Sequence, residues 1–180
     1  MPRIAFTLDA DDLARVDRLL ADRGERGTDM APVLNELVTD FLDLEEQLFA
    51  SQGRLILGRG WKKLNPRWLA YRQAKGRGSR ILEMEGGEGG RLRRSLTVRG
   101  APYQRLTVRA DGMEVATRLG IAAVHDRGRT ITITNASGTR TVKIPRRRIV
   151  RLRREDKVRW LSQAQDYIST GRIGSGRLGL

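Results

Sequence analysis

The sequence contains no cysteine and only one histidine among its 180 residues. These absences exclude disulfide bridges, thiolate zinc sites, cysteine nucleophiles and metal sites built from several histidines. Apolar runs are only a few residues long, far short of the ~20 residues that a membrane-spanning helix needs. The first residues soon turn acidic and lack the apolar core of a secretory signal. We therefore expect no metal, no cofactor and no membrane partner.

Aromatic residues are scarce, at 5%, but hydrophobic residues make up 39% of the chain. That hydrophobic fraction is sufficient for a packed core and argues against wholesale disorder. The length fits one ordinary domain with room for an extended loop. We therefore predict a single domain over residues 1–180.

Charge of the two signs is unevenly distributed along the chain. Residues 1–50 contain 5 basic and 12 acidic residues, a net charge of −7, whereas residues 51–180 contain 30 and 9, a net charge of +21. Of the 35 basic residues, 30 are arginine, which suits bidentate contacts with phosphate or carboxylate. The basic part then faces a polyanion such as DNA, or it receives the acidic face of the next copy and closes a ring. Solubility combined with an arginine-rich coding bias is the simpler alternative.

Helical patterns open the chain. Residues 1–28 predict a short strand and then a helix that ends at Gly24. A longer helix follows, capped by Thr28 or Asp29. Its apolar residues have the i, i+3/i+4 spacing of a helix that faces a core: Val33, Leu34, Leu37, Val38, Phe41, Leu44 and Leu48. We expect this stripe to pack in the core or between subunits, with the acidic residues on the outer face.

Residues 51–95 are rich in glycine and in basic residues. The only helix predicted there covers residues 66–75, with Pro66 in its first turn. Residues 86–90 read GGEGG, which predicts a hinge because the GK[ST] ending of a phosphate-binding loop is missing. A long segment with little regular structure is typical of a functional or interface loop. We therefore predict an extended interface loop over residues 51–95.

After this loop the apolar period becomes two, which predicts about five strands. Their apolar pairs are Leu96/Val98, Leu106/Val108, Val115/Thr117, Ile131/Ile133 and Val142/Ile144. The clearest hairpin covers residues 130–145, and residues 119–128 fit one helical turn or two.

A last helix is predicted over residues 154–169, with Val158, Leu161, Ala164 and Ile168 on one face. The tail, residues 169–180, is glycine-rich and extends from the domain or docks on a neighbour. The order of helices, loop, strands and closing helix predicts an α+β fold, in which the helices pack on a mainly antiparallel sheet.

No catalytic constellation is visible in the sequence. His125 and Asp126 are neighbours, but no nucleophile lies near them in sequence, which favours a structural histidine. Glu83, Glu85 and Glu88 have the chemistry for acid–base catalysis, yet a glycine-rich context cannot hold the geometry that catalysis needs. We therefore predict that the protein is not an enzyme.

The most basic stretch reads RRRIVRLRR. Its candidate binding residues are Arg146, Arg147, Arg148, Arg151, Arg153 and Arg154. One interpretation is salt-sensitive contact with nucleic-acid phosphates. The other is that alternate residues of a strand face solvent or the acidic helix of a neighbouring copy. Few aromatic residues are interleaved with these charges, so base stacking is not indicated.

The sequence resembles the phage virion morphogenesis and tail-completion proteins of the Mu-type and lambdoid kinds. Four blocks carry the resemblance in the family's order: FLDLEEQLFASQG, GRGWKKLNPRWLAYRQAKGRG, ILEMEGGEGGRLRRSLTV, and AAVHDRG followed by KIPRRRIVRLRREDKVRWLSQAQDYI. The residues at family-motif positions are Trp61, Leu64, Pro66, Lys75, Leu82, Gly90, Leu92, Ser95, Leu96, His125, Gly128, Pro145 and Asp156. Where the family usually has Pro-Ala-Arg-Pro-Phe, residues 145–149 of this chain read PRRRI. The second proline and the aromatic residue are therefore missing. Residues 1–28 look like an addition to the family.

The resemblance implies a structural virion protein at the head–tail junction, in a ring that is most often a hexamer. Such a ring completes or terminates the tail and lines part of the passage for the DNA. Its expected partners are further copies of itself, the adjacent neck, connector and tail-tube proteins, and the packaged DNA. The expected location is the virion, and the host cytoplasm during assembly. The residues alone leave open a second class, an arginine-rich regulator that binds DNA or RNA.

Overall fold

A computed structural model describes residues 27–83, 88–135 and 138–173. The helices and strands within these ranges are α1 (Ala31–Ala50), α2 (Arg54–Leu57), α3 (Pro66–Ala74), α4 (Glu88–Thr97), β1 (Gln104–Arg109), β2 (Gly112–Thr117), α5 (Gly120–Arg127), β3 (Arg129–Asn135), β4 (Gly138–Ile144) and α6 (Arg154–Thr170). This mixture of helices and antiparallel strands confirms the predicted α+β class. The strand and helix predicted over residues 1–28 lie almost entirely outside the described residues, as does most of the tail.

Helix α1 is the centre of the core. Every residue of its predicted apolar stripe is buried, and β1, β2, α4 and α6 all pack against it. The N-cap residue is Met30, which makes no side-chain cap. Asp29 still accepts a hydrogen bond at Oδ1 from the amide of Ala31, at 3.0 Å. The predicted capping carboxylate therefore satisfies one of the free amides at the helix start.

The segment around Leu96 is a helix, so the strand predicted from the Leu96/Val98 spacing is wrong. Leu92 and Leu96 are both fully buried, one helical turn apart, whereas Val98 is 45% exposed. One apolar pair two positions apart is too short a pattern to distinguish a strand from a helix. Here the pair that packs, Leu92 and Leu96, has the four-residue spacing of a helix. Gly90 lies in the first turn of α4, where we predicted part of a hinge, while residues 86–87 lie outside the described ranges.

The predicted loop contains more regular structure than expected. Residues 51–95 hold α2, α3 and most of α4, not one short helix. Helix α3 begins as predicted, and Asn65 caps it by accepting a hydrogen bond at Oδ1 from the Arg67 amide at 3.0 Å. The role of this segment as an interface stays a prediction.

The four strands form two separate antiparallel hairpins, where we predicted one mainly antiparallel sheet. The β1–β2 ladder is packed on α1 and α4, with Met113 and Val115 buried. The β3–β4 ladder confirms the clearest hairpin prediction and runs from Asn135↔Gly138 at the turn to Arg129↔Ile144. Among the described elements, none packs extensively against β3 or β4. The hairpin therefore projects from the core as an arm.

Helices α5 and α6 confirm the remaining helix predictions. The buried face of α6 consists of Asp156, Trp160, Ala164 and Ile168, each four residues after the last. Val158, which we placed on the apolar face, is 58% exposed. That assignment was wrong because the indole of Trp160, two residues later, occupies the core.

Candidate functional site

Two stretches of the chain carry many basic residues and no acidic residue. We call residues 47–82 the first basic segment and residues 127–154 the second basic segment. The first includes α2 and α3, and the second includes the β3–β4 arm and the arginine-rich stretch. Neither segment contains a carboxylate, and in the described ranges only Arg80 and Arg153 among their arginines pair with carboxylates just outside them. A surface formed from both therefore keeps a positive charge and is the strongest candidate for a functional site.

The two basic segments meet where residues 61–63 lie against residues 146–148. The Trp61 indole donates a hydrogen bond from Nε1 to the carbonyl oxygen of Arg148 at 2.9 Å. The Arg147 guanidinium donates from Nε and Nη2 to the carbonyl oxygen of Lys62, at 3.1 and 3.0 Å. We call this contact the basic junction. It joins residues more than eighty positions apart into one surface.

The end of α1 positions Trp61 at the basic junction. The Trp61 amide donates to the Gln52 carbonyl at 2.8 Å, and the indole packs edge-on against Phe49, with ring centroids 5.3 Å apart. Gly53 has φ +92°, and a Cβ there would lie 3.0 Å from the indole Cδ1. A side chain at residue 53 would therefore push the indole from its place.

Arg147 is a buried cation at the centre of the junction, 4% exposed. Its Nη1 lies 3.3 Å from Nδ1 of His125, and its amide donates to the His125 carbonyl at 2.7 Å. No carboxylate in the described ranges pairs with it, and burial lowers the pKa of Arg147. Burial, aided by the charge of Arg147, lowers the pKa of His125 to about 4. His125 is therefore neutral at pH 7, and its Nδ1 accepts the hydrogen bond from Arg147.

Gly128 allows the second basic segment to approach α5 closely. Its φ is +72°, and a Cβ there would lie 2.9 Å from the Arg146 amide nitrogen. Beyond this point Arg146 donates from Nε to the Asp126 carbonyl at 3.0 Å, and Ile149 donates its amide to Asp126 Oδ1 at 3.3 Å. Arg147 and Ile149 are buried while Arg146 and Arg148 are exposed, so alternate residues face inward here, although residues 145–153 form no strand.

The six candidate arginines therefore differ in what they can bind. Arg147 is buried, and Arg153 is bonded to the Asp156 carboxylate at 2.8 and 2.9 Å. The four others are exposed: Arg146, Arg148, Arg151 and Arg154. Lys62 and Lys63, which the sequence analysis did not single out, are exposed at the same junction. The signal that could have found them is the absence of acidic residues across the first basic segment.

The family-motif residues occupy two main regions. Trp61 is part of the basic junction, and His125, Gly128 and Pro145 lie next to it. On α4, Leu92, Ser95 and Leu96 are fully buried. Ser95 Oγ lies 2.8 Å from Leu92 O and 2.8 Å from Thr117 Oγ1, which connects α4 to β2. The others are distributed more widely: Leu64 is half-buried, Pro66 starts α3, Lys75 is exposed after it, Leu82 and Asp156 are buried, and Gly90 is in the first turn of α4.

A cleft of about 400 Å³ beside α4 contains charges of alternating sign. Glu83 accepts from Arg80 at 2.9 Å and from Arg93 at 2.7 Å, and Arg93 also pairs with Glu46. The hydrogen bond from Arg93 lowers the pKa of Glu46 below its usual value. Glu83 therefore ties the loop that carries Arg80 to α4, and Arg93 extends the network to Glu46 of α1. Glu85 and the side chain of Glu88 lie outside the described residues.

Within the residues that the structure describes, no group of three or more histidine, aspartate or glutamate side chains could hold a metal ion. No helix within the same ranges is long and apolar enough to cross a bilayer.

Comparison with known proteins gives a family. The chain matches the phage virion morphogenesis family over residues 11–169. This match includes much of the segment that we expected to be an addition. No curated protein and no solved structure matches the chain. Because the family match covers most of the sequence, the chain belongs to the phage virion morphogenesis family and has a structural or assembly role in a phage particle.

Proposed function

We propose that this protein forms a ring at the head–tail junction of a phage particle, where the ring completes or terminates the tail. The ring is hexameric, as the resemblance implies, and it lines part of the passage for the genome. The observation that carries the proposal is the basic junction, where exposed Lys62, Lys63, Arg146 and Arg148 stand together on a virion-family protein without an acidic residue in either segment.

The chemistry of the junction suits a wall beside DNA. Lysine and arginine contacts with phosphates are independent of base sequence. The aromatic residue of the junction, Trp61, is buried and bonded to a backbone carbonyl. It therefore offers no stacking platform that would hold one base in place, and DNA can slide past the surface.

Two projecting elements support self-association. Neither α3 nor the β3–β4 arm packs extensively on another described element. A two-stranded hairpin alone is marginally stable in water, so contact with a neighbouring molecule would stabilise it. Contacts between two different surfaces of identical subunits close into rings when the rotation allows it. The partners are then other copies, and the adjacent neck, connector and tail-tube proteins above and below the ring.

The assembly state tests the proposal directly. We expect native mass spectrometry of the purified chain to give a closed oligomer, six copies in the simplest case. Electron microscopy of the phage particle should locate the same ring coaxial with the tail. A chain that stays monomeric at high concentration and is missing from the particle would contradict the proposal.

Removal of the exposed cations tests the DNA-facing surface. We expect the Lys62→Ala, Lys63→Ala, Arg148→Ala chain to bind duplex DNA more weakly at low salt, with a salt dependence reduced by about one unit of slope per lost phosphate contact. The control Arg109→Ala, Arg118→Ala removes exposed charge elsewhere and should bind like the unaltered chain. Tight binding of one DNA sequence by a monomeric chain would instead favour the regulator.

A further inference from the structure

Helix α3 presents two stacked aromatic side chains to solvent. Trp68 and Tyr71 are 45% and 44% exposed, with ring centroids 5.1 Å apart and planes inclined by 18°. The helix is held in place by Arg72, which donates from Nη2 to the carbonyls of Arg77 and Glu83 at 3.0 and 3.2 Å. Exposed tryptophan and tyrosine on a fixed helix are typical of the centre of a protein–protein interface.

Cations stand on both sides of this aromatic pair. Arg67 and Lys75 are exposed, and Lys75 lies seven residues after Trp68, on the same side of the helix. At 1.5 Å of rise per residue, Arg67 and Lys75 are about 12 Å apart along the helix axis. We call Arg67, Trp68, Tyr71 and Lys75 the α3 face. It has an apolar centre and two positive ends.

Helix α1 carries a surface of matching charge. Residues 27–53 contain no basic residue. Glu36 and Asp43 are exposed on one side of α1, about 10.5 Å apart along its axis. Neither carboxylate has an ion-pair partner in the described ranges, whereas Asp40 of the same helix is paired with Arg159 at 3.1 Å. These two carboxylates therefore stand at nearly the spacing of the cations on α3.

We propose that the α3 face of one copy docks on α1 of the next copy. Arg67 and Lys75 pair with Glu36 and Asp43, and the aromatic pair is buried between them. The inference rests on the self-association in the proposed function, and it names the two surfaces that meet. Because these surfaces differ, the contact is head-to-tail, the type that closes a ring. It uses none of the exposed cations of the basic junction.

A second copy fits the α3 face better than nucleic acid does. Each aromatic ring is stacked on the other, so one face of each is already covered and a base would have to displace that contact. The opposite charges and near-equal spacing on α1 supply a specific partner for both cations, and truncation of a buried tryptophan in such an interface has a large effect.

Charge reversal tests the pairing. One chain carries Arg67→Glu and Lys75→Glu, and the other carries Glu36→Lys and Asp43→Lys. Each variant alone brings like charges together, so we expect each to sediment as a monomer at concentrations where the unaltered chain is assembled. An equimolar mixture should assemble again, since every contact in a ring of alternating variants then joins opposite charges. The control Arg109→Glu, Arg118→Glu changes exposed charges elsewhere and should stay assembled.

The outcomes separate this inference from the proposed ring. If the unaltered chain assembles and both reversed variants assemble equally well, the docking mode is wrong while the ring stands. If both variants are monomeric and their mixture does not assemble, the pairing is also wrong. An unaltered chain that never assembles overturns both proposals. Trp68→Ala with Tyr71→Ala, checked for intact fold by circular dichroism, should weaken self-association at least about tenfold; unchanged association would overturn the inference.

Discussion

At the scale of single residues, several arginines of the described ranges donate to backbone carbonyls and not to acidic side chains alone. Arg72, Arg80 and Arg147 each donate to main-chain oxygens of residues distant in sequence. Arg72 and Arg147 are 2% and 4% exposed, and burial lowers the pKa of both. The planar guanidinium suits this role because its several donors lie in one fixed fork. Part of the positive charge is therefore used inside the fold and is not available to DNA.

Gly128 is the residue whose replacement should disturb the basic junction most directly. We expect Gly128→Ala to lower the free energy of unfolding by about 2–3 kcal/mol, because a Cβ would lie 2.9 Å from a backbone nitrogen at a positive φ. Urea unfolding measures the loss.

Gly100 provides the matched control for that substitution. Its φ is +74°, close to that of Gly128, but a Cβ there would meet nothing within 4 Å. Gly100→Ala should therefore cost only the backbone strain, about 1 kcal/mol. Equal losses for the two variants would show that the close approach to Arg146 does not matter.

At the scale of elements, Glu83 connects the loop after α3 to α1 and α4. Its carboxylate accepts hydrogen bonds from Gln52 at the end of α1, from Arg80 in the loop and from Arg93 of α4, at 2.7–2.9 Å. Its side chain is only 10% exposed, so water screens these bonds little. One carboxylate therefore holds three parts of the chain together.

Replacement of this carboxylate should loosen the loop. We expect Glu83→Gln to lower the free energy of unfolding by about 1–3 kcal/mol, because two arginines lose a charged partner. Amide hydrogen exchange over residues 77–83 should become faster. The control is Glu114→Gln, whose pair with Arg105 spans 3.5 Å in a more exposed setting and should be worth about 0–1 kcal/mol. Equal effects in both variants would contradict the role of Glu83.

Most elements are encoded by local patterns, and α4 shows where this fails. The stripe of α1, the proline start of α3 and the alternation of β3 and β4 all lie within consecutive residues, so spacing alone predicted them. In α4 the arginines favour a helix and the glycines oppose it, so the local preference for a helix is weak. Only the burial of Leu92 and Leu96 against α1 and β2 decides for a helix, and that contact is tertiary.

At the scale of the whole molecule, the fold reduces the charge separation seen along the chain. Asp40 pairs with Arg159, and Glu46 with Arg93. Glu45 is 2% exposed; burial, with a smaller contribution from the charge of Asp126, raises its pKa well above the usual value. The net charges of −7 and +21 counted along the sequence therefore overstate the field that another molecule meets.

The pH dependence of stability should reflect half-buried His125 and buried Glu45, whose pKa values are shifted in opposite directions. His125 has its pKa lowered from 6.5 to about 4, so the folded state resists protonation and stability is lost as the pH falls from 6.5 to 4. Glu45 has a raised pKa, so the folded state holds a proton that the unfolded state releases, and stability is gained as the pH falls toward 4.5.

Two substitutions separate these contributions in urea unfolding at several pH values. Relative to His125→Gln, the unaltered chain should lose about 1–2 kcal/mol between pH 6.5 and 4, allowing for partial screening by solvent. Relative to Glu45→Gln, it should gain stability over the range from pH 7 to 4.5. Curves that run parallel for all three chains would contradict both assignments.

The sequence by itself determined the α+β class, the long core helix, the final helix, the hairpin and the family, because periodicity and ordered motifs are local properties. It also determined that basic residues accumulate after residue 50. Only the tertiary structure decided which of them are exposed. Arg147 is buried against the Lys62 carbonyl, which is 85 residues away in sequence. Trp61 bonds to the Arg148 carbonyl across 87 residues. Contacts between residues so far apart in sequence depend on how the helices pack, and a local sequence pattern carries no information about that packing.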